Sequence, residues 1–209
     1  MELSEFERKV LNDVSRQLVS APLETERLLL RPFRPTDLED LYEYLSQAEQ
    51  RRLSGNSRVD TREDAGKVLS FFTDPSHPPY SFAIERKGEE KVIGNLSIGV
   101  YPFLHADPKM NTRRGVSLSY VLHEGYWRQG YMTELLRALY PRLFQSCNLE
   151  YINSGYFDFN VASGALQRKM GMQPWFEHIF ERDGVQYRTK EMILWRSAPG
   201  DSGPPSDAT

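Results

Sequence analysis

The sequence predicts one mixed α/β domain of the α+β kind, with helices set against a central sheet. The chain has 209 residues and is 39% hydrophobic, enough to fill a single core. Its apolar residues switch between helical spacing and strict alternation, in the order helix, strands, helix, strand, helix, strands. No segment repeats at a fixed period.

Each element has a local reason. Leu3, Phe6, Val10, Leu11, Val14 and Leu18 recur at helical spacing, which predicts an N-terminal helix over residues 1–20, standing as an appendage to a domain spanning 21–196. TERLLLRPFR is predicted as a strand broken by Pro32 and Pro35. Thr36-Asp37 then caps a helix carrying Leu38, Leu41, Tyr42 and Leu45 on one face. Thr61 followed by Asp64 forms a capping box that starts another helix, ended by the proline-rich TDPSHPPY. PYSFAIER and KVIGNLSIGVYPF form a hairpin about KGEE. After the polar HADPKMNTRR, the alternation of Val116, Leu118, Tyr120 and Leu122 marks a fourth strand, GVSLSYVLH. From Gly130 onward Leu135, Leu136, Leu139, Leu143 and Phe144 mark a helix in which Pro141 removes one hydrogen bond. LEYINSGYF is a fifth strand, VASGALQRKMG a helix stopped by Gly171, and WFEHIFERDGVQYRTKEMILW a hairpin turning at Asp183-Gly184. Residues 197–209 have almost nothing to bury and are expected to be disordered.

Composition narrows the function. Lys plus Arg number 26 against 29 Asp plus Glu, a net charge of −3, so no global positive field recruits nucleic acid. Arg51-Arg52 and Arg113-Arg114 are accordingly solvated faces. The one cysteine, Cys147, cannot form a disulfide within the chain and makes a poor metal ligand, so a buried core thiol is expected and no metal site. No apolar run reaches signal-peptide or membrane-span length, which predicts a cytoplasmic protein with no membrane partner.

One stretch carries chemistry. GYWRQGYMTELLRAL, from Gly125 to Leu139, joins the fourth strand to a helix through a turn containing Gly130. The first amides of a helix have no intrahelical acceptor and its dipole is positive there, so such a turn can hold an anion, and glycine lets the ligand approach the backbone. There is no Walker-type lysine motif and no GxGxxG, which argues against a nucleoside triphosphate or a dinucleotide. A second element lies alongside. In NVASGALQRKMG, after the fifth strand, Asn160, Ser163 and Gln167 share one helical face.

Together these segments resemble the GNAT acetyltransferase superfamily, and within it the RimJ/RimL type of ribosomal-protein N-terminal acetyltransferase. ETERLLLRPFRPTDLEDL resembles the opening strand and helix, SYVLHEGYWRQGYMTELL the coenzyme-binding segment, and NVASGALQRKMGM the Asn-x-x-Ser helix; the likeness covers roughly residues 24–195. It implies a mixed, mostly antiparallel central sheet with helices on both faces and the parallel fourth and fifth strands splayed apart. It implies acetyl-coenzyme A as co-substrate and a primary amine as acceptor. Pantetheine would pair along Tyr120, Val121 and Leu122, and the diphosphate would lie on the amides of Arg128, Gln129, Gly130, Tyr131, Met132 and Thr133. Asn160 would hydrogen-bond the pantetheine arm, Ser163 would steady the leaving thiolate, and a backbone N–H at Val121 would hold the oxyanion.

The chain also departs from the family pattern. Trp127 replaces the usual Gln or Arg and Met132 the usual Gly or Ala, changes that leave the backbone amides in place. Ser117 stands where many relatives carry a glutamate in Ala-Glu-Ile-Gly-Tyr. Glu85, His105, Asp107, His123 and Asp158 are candidate substitutes. The expected function is acetyl transfer to a protein or peptide N-terminal α-amine by direct attack on the thioester. The alternatives are a small amine acceptor, a coenzyme A-binding regulator without activity, or an interaction module using Tyr101, Phe103, Trp175 and Phe176. The sequence leaves a homodimer open. With no strong base in sight, α-amines, already partly neutral near pH 7, are expected to react in preference to lysine.

Overall fold

The computed structural model describes residues 3–56, 58–100, 110, 112–182 and 184–196. Its helices are α1 (Glu5–Ser20), α2 (Leu38–Leu45), α3 (Ala48–Ser54), α4 (Arg62–Phe72), α5 (Tyr131–Ser146) and α6 (Val161–Lys169). Its strands are β1 (Leu23–Glu24), β2 (Leu28–Pro32), β3 (Ser81–Arg86), β4 (Lys91–Gly99), β5 (Gly115–Leu122), β6 (Tyr151–Phe157), β7 (Gln173–Arg182) and β8 (Val185–Trp195). They form one eight-stranded sheet in the order β1-β2-β3-β4-β5-β6-β8-β7. Every neighbouring pair is antiparallel except β5 and β6. That parallel pair needs a crossover, and α5 supplies it.

Two cores cover the two faces. On the first, α1 and α5 bury Val10, Val14, Leu18, Leu135, Leu136 and Leu139 against Leu28, Phe82, Leu96, Leu118 and Ile152. On the second, Leu41, Tyr44 and Leu45 of α2 and Ala65 and Leu69 of α4 pack on Ala83 and Val92. These are called the α5 face and the α4 face below. α1 is thus part of the main core, and residue 20 is not a packing boundary. Its helix begins with a capping box at Ser4 and Glu7, the Ser15 hydroxyl donates to the Pro79 carbonyl at 2.6 Å, and the Tyr80 hydroxyl donates to Asn12 at 2.7 Å. An amphipathic stripe that wide has to be covered, and the sheet covers it.

The capping box at Thr61 and Asp64 forms as expected. Asp37 does not cap α2. It closes a single 3-10 turn by accepting the Arg34 N–H at 2.7 Å, and its carboxylate forms a bidentate pair with Arg31 at 2.8 and 2.9 Å. Arg31 also donates to Glu85 at 2.6 Å. Both Arg31 and Asp37 are buried, and removing one partner of such a pair would cost about 3–5 kcal/mol. The strand about Leu28 is shorter than TERLLLRPFR and is preceded by β1, while α3 lies in a stretch whose polarity hid it. α5 tolerates Pro141 in its interior, and Cys147 at its end is buried in the core. Arg51 and Arg52 pair with Asp60 and Glu49 at the surface, and Arg113 pairs with Glu150. The C-terminal tail expectation and Asp183 fall outside the described residues.

Candidate active site

β5 and β6 pair only at Gly115↔Tyr151, Val116↔Ile152 and Ser117↔Asn153, although β5 continues to Leu122 and β6 to Phe157. Beyond Ser117 they diverge and leave a gap in the sheet. Because N–H and C=O of one strand residue point the same way and alternate along the strand, the hydrogen bonds at each end identify the groups lining it. The Arg114 carbonyl accepts from Glu150 across the parallel pair, and the His123 N–H donates to Ile93 of β4. Leu118, Tyr120 and Leu122 therefore turn their backbone groups into the gap, whereas Val121 turns toward β4. On the other side the Arg196 N–H donates to Glu150 and the Asp158 N–H to Arg188, so Gly155 and Phe157 face the gap from β6. The Leu122 carbonyl is already taken by the Trp127 indole N–H at 2.9 Å. The remaining gap-facing groups suit a ligand that itself carries amides.

At one end the gap meets the first turn of α5. Arg128 and Gly130 both have left-handed backbones, φ 59° and 83°. Glycine meets that requirement at Gly130 without strain, and a Cβ built there would lie 3.6 Å from Arg27 Nη2. The Glu134 N–H donates to the Gly130 carbonyl, but the amides from Arg128 to Thr133 have no acceptor among the described residues. Arg27 sits over this turn, 4.2 Å from the Tyr131 ring centroid, donating to the Gln129 carbonyl at 3.1 Å and to Glu134 at 2.6 Å. Bare amides, a helix dipole and a nearby guanidinium make an electropositive cradle.

On the α5 face, hydroxyls gather behind the gap. Gln167 Nε2 donates to Ser163 Oγ at 3.2 Å and to Ser154 Oγ of β6 at 3.3 Å. The Tyr120 hydroxyl faces all three residues yet is buried without a hydrogen bond of good geometry, and burial pushes its pKa up, partly offset by Ser163, Gln167 and Ser154. An orphaned buried hydroxyl beside a gap is a place for a ligand atom. Gly164 lets α6 come this close, since a Cβ would strike the Tyr156 ring at 2.7 Å.

Asn160 does structural work. Its Oδ1 accepts the Ser163 N–H at 3.1 Å as the cap of α6, and its Nδ2 donates to the Leu53 carbonyl of α3 at 3.1 Å. One N–H of the amide is left for a ligand.

The α4 face carries a group that sequence reasoning missed. Glu191 of β8 is 1% exposed. Its Oε2 accepts from Asn153 Nδ2 at 3.4 Å, its Oε1 lies 3.2 Å from His178 Nε2 of β7, and Asn153 Nδ2 also lies 3.4 Å from Ser117 Oγ of β5. The sequence held a faint signal: Glu191 shares strand parity with Ile193, so a charge occupies a position whose neighbour on that face is buried.

The expected bases do not gather here. Glu85 is committed to Arg31. His123 accepts the Gly125 N–H at 2.9 Å through Nδ1 and lies 3.1 Å from Glu43 through Nε2, closing the turn after β5. Asp158 is exposed beyond the end of β6. His105 and Asp107, like Tyr101 and Phe103, lie outside the described residues. Trp175 and Phe176 meet edge to face with ring centroids 4.8 Å apart, and Trp175 packs against the small cluster of Met110, Tyr151 and Ile193. No group of histidine, cysteine and acidic side chains able to hold a metal occurs among the described residues, and no helix among them is long and apolar enough to cross a membrane.

Residues 27–173 match the acetyltransferase (GNAT) domain family. The chain is similar to the uncharacterised N-acetyltransferase YoaA of Bacillus subtilis, 26% identical over 72% of this chain and 82% of that one. Its fold is similar to that of a GNAT-family acetyltransferase from Bacillus anthracis, at TM-score 0.70 and 20% identity over 83% and 98% of the two chains. It is also similar to that of the ribosomal-protein-S5-alanine acetyltransferase from Vibrio fischeri, at TM-score 0.62 and 18% identity over 84% and 96%. A mostly antiparallel sheet with one parallel pair and flanking helices is the fold they share, and the chain belongs to the GNAT acetyltransferase family and is an acetyl-coenzyme A-dependent N-acetyltransferase.

Proposed function

We propose that this N-acetyltransferase, a member of the RimJ/RimL-like branch, acts on the α-amino group of a protein or peptide N terminus. The observation that carries the transfer site is the gap beyond Ser117, lined by strand backbone and running from the α5 cradle to the orphaned Tyr120 hydroxyl. The amides from Arg128 to Thr133, with Arg27 above them, would bind the diphosphate. The gap-facing Leu122 N–H and Tyr120 carbonyl would pair with pantetheine. Alternation moves the oxyanion donor from Val121 to the neighbouring Tyr120 N–H, since Val121 is turned to β4 and the thioester lies at the end of pantetheine far from the diphosphate. Ser163, hydrogen-bonded by Gln167, would steady the thiolate as the C–S bond breaks.

The branch is supported by likeness of fold to the Vibrio fischeri enzyme and by the order of the three sequence motifs. Amine chemistry points the same way. An α-amine of pKa near 8 needs about 1.4 kcal/mol to reach its neutral form at pH 7, a lysine near 10.4 about 4.6. The test is free-thiol release with a free N-terminal peptide beside its N-blocked, lysine-containing counterpart. Faster transfer to the free N terminus is expected. Faster transfer to the blocked peptide, or to a small amine in preference to both, would overturn the acceptor assignment.

A further inference from the structure

We propose that Glu191, held by His178, is the proton acceptor for the attacking amine. This rests on the reading of the β5–β6 gap as the transfer site. On the α5 face the gap is backed by α6 and the hydroxyls of Tyr120, Ser154 and Ser163, so an amine reaches the thioester carbonyl from the α4 face. Strand parity places Ser117, Ser119 and Val121 of β5, Asn153, Gly155 and Phe157 of β6, and Thr189 and Glu191 of β8 on that face. Glu191 is the acid among these.

Its position is built. Gly155 is the partner of Glu191 in the β6–β8 ladder, is exposed, and turns its backbone into the gap. A Cβ on Gly155 would stand 2.2 Å from Glu191 Oε1, so the carboxylate fills the space that a side chain bordering the gap would otherwise take. From β7 it meets His178 and from β6 Asn153, which in turn approaches Ser117 of β5; neither Glu191 nor His178 is limited to these contacts. Two oxygens of the floor around it can accept further hydrogen bonds. Asn153 Oδ1 and Thr189 Oγ1 are buried without a hydrogen-bond partner among the described residues. An ammonium group has three donors and no acceptor, and so complements such a floor. As a structural device alone a buried carboxylate–imidazole pair gains little over packed apolar residues.

The step balances simply. The acceptor's ammonium gives one proton, relayed over the exposed Gly155, to the buried Glu191 carboxylate. The nitrogen lone pair then forms the N–C bond, the C–S bond breaks, and its electron pair leaves with sulfur. The second proton lost from nitrogen balances the one taken up by the thiolate. His178 is a positioning residue that orients the carboxylate and shares its proton.

The experiment measures rate against pH for two N-terminal peptides of different amine pKa, beside the rise in melting temperature caused by acetyl-coenzyme A, in the full chain and in Glu191→Gln and His178→Gln. Glu191→Gln is expected to lower turnover by roughly 100- to 10,000-fold, the usual range for a lost general base. It should keep the coenzyme-induced rise and lose an inflection that, in the unaltered chain, stays put when the acceptor changes. His178→Gln should move that inflection and lower turnover less. An unaltered Glu191→Gln profile, or a profile in the unaltered chain that only follows the acceptor's own titration, overturns the proposal while leaving the acetyltransferase reading intact. If Glu191→Gln does not fold, an unmoved inflection in His178→Gln overturns it as well. No transfer from acetyl-coenzyme A to any amine by the unaltered chain overturns both.

Discussion

The two faces of the β5–β6 gap are assembled in opposite ways. On the α5 face most of the candidate groups come from continuous segments, residues 118–122, 128–133 and 160–167, joined by Ser154 of β6, and many of them are backbone groups. On the α4 face they are side chains from β5, β6, β7 and β8, brought together only by sheet order. A backbone site tolerates substitution as long as the chain path holds; a side-chain site depends on each residue. Substitutions should therefore separate coenzyme binding from turnover according to the face they touch.

Gly130→Asp should have the largest effect. A residue with a Cβ is strained at φ 83°, and its carboxylate would sit beside Arg27 and repel the diphosphate. Thermal-shift titration should show complete loss of stabilisation by acetyl-coenzyme A in a folded protein. Normal binding would break the assignment of the cradle. Gly155→Ala comes next and affects the other face. Its methyl would displace the Glu191 carboxylate, and a displacement of that kind costs about 100-fold in rate. Coenzyme binding should persist, and a matching loss of binding would show that the faces are not separable.

Ser163→Ala should lower turnover about 10- to 100-fold, since a thiolate with pKa near 8.5 needs steadying more than full protonation. Asn160→Ala removes the cap of α6 and its tether to α3, and should cost about 1 to 2 kcal/mol in chemical unfolding. If stability is unchanged while coenzyme affinity falls, Asn160 acts on the ligand alone. The smallest effect concerns Glu134. Its carboxyl is held below the usual range: burial raises it, but hydrogen bonds from Thr25 and the Arg27 backbone and side chain outweigh that. A depressed carboxylate pKa contributes stability that is full above the unfolded value near 4.3 and is lost as pH falls through the folded one. With Arg27 39% exposed, less than about 1 kcal/mol should disappear on acidification below pH 4, and Glu134→Gln should flatten that part of the curve.

What the sequence revealed follows the same division. The strand, glycine turn and helix from Val116 to Leu139 were legible because each signal is local: alternation, then Gly130, then helical spacing. Asn160 and Ser163 were legible for the same reason, although the capping and tethering work of Asn160 required knowing where α3 lies. Glu191 and His178 were not, because nothing local ties β7 and β8 to Ser117. Placing β8 directly beside β6, with β7 at the edge, is a matter of topology. Asp37 shows a related limit. Its sequence context fits a helix cap, but a buried Arg31 from another element claimed its carboxylate. α1 was found by its periodicity yet misjudged as an appendage, since the width of an apolar stripe shows that it must be covered without showing by what.

Both faces depend on acetyl-coenzyme A entering the gap between β5 and β6 and presenting its thioester to the α4 face, as proposed above. A crystal structure of the chain with a non-hydrolysable acetyl-coenzyme A analogue tests this most directly. The diphosphate is expected on the amides from Arg128 to Thr133, the sulfur toward Ser163 and Tyr120, and the carbonyl near the Tyr120 N–H with its open side toward Gly155 and Glu191. Coenzyme bound away from the first turn of α5, or β5 and β6 found closed and paired beyond Ser117 around it, would contradict it.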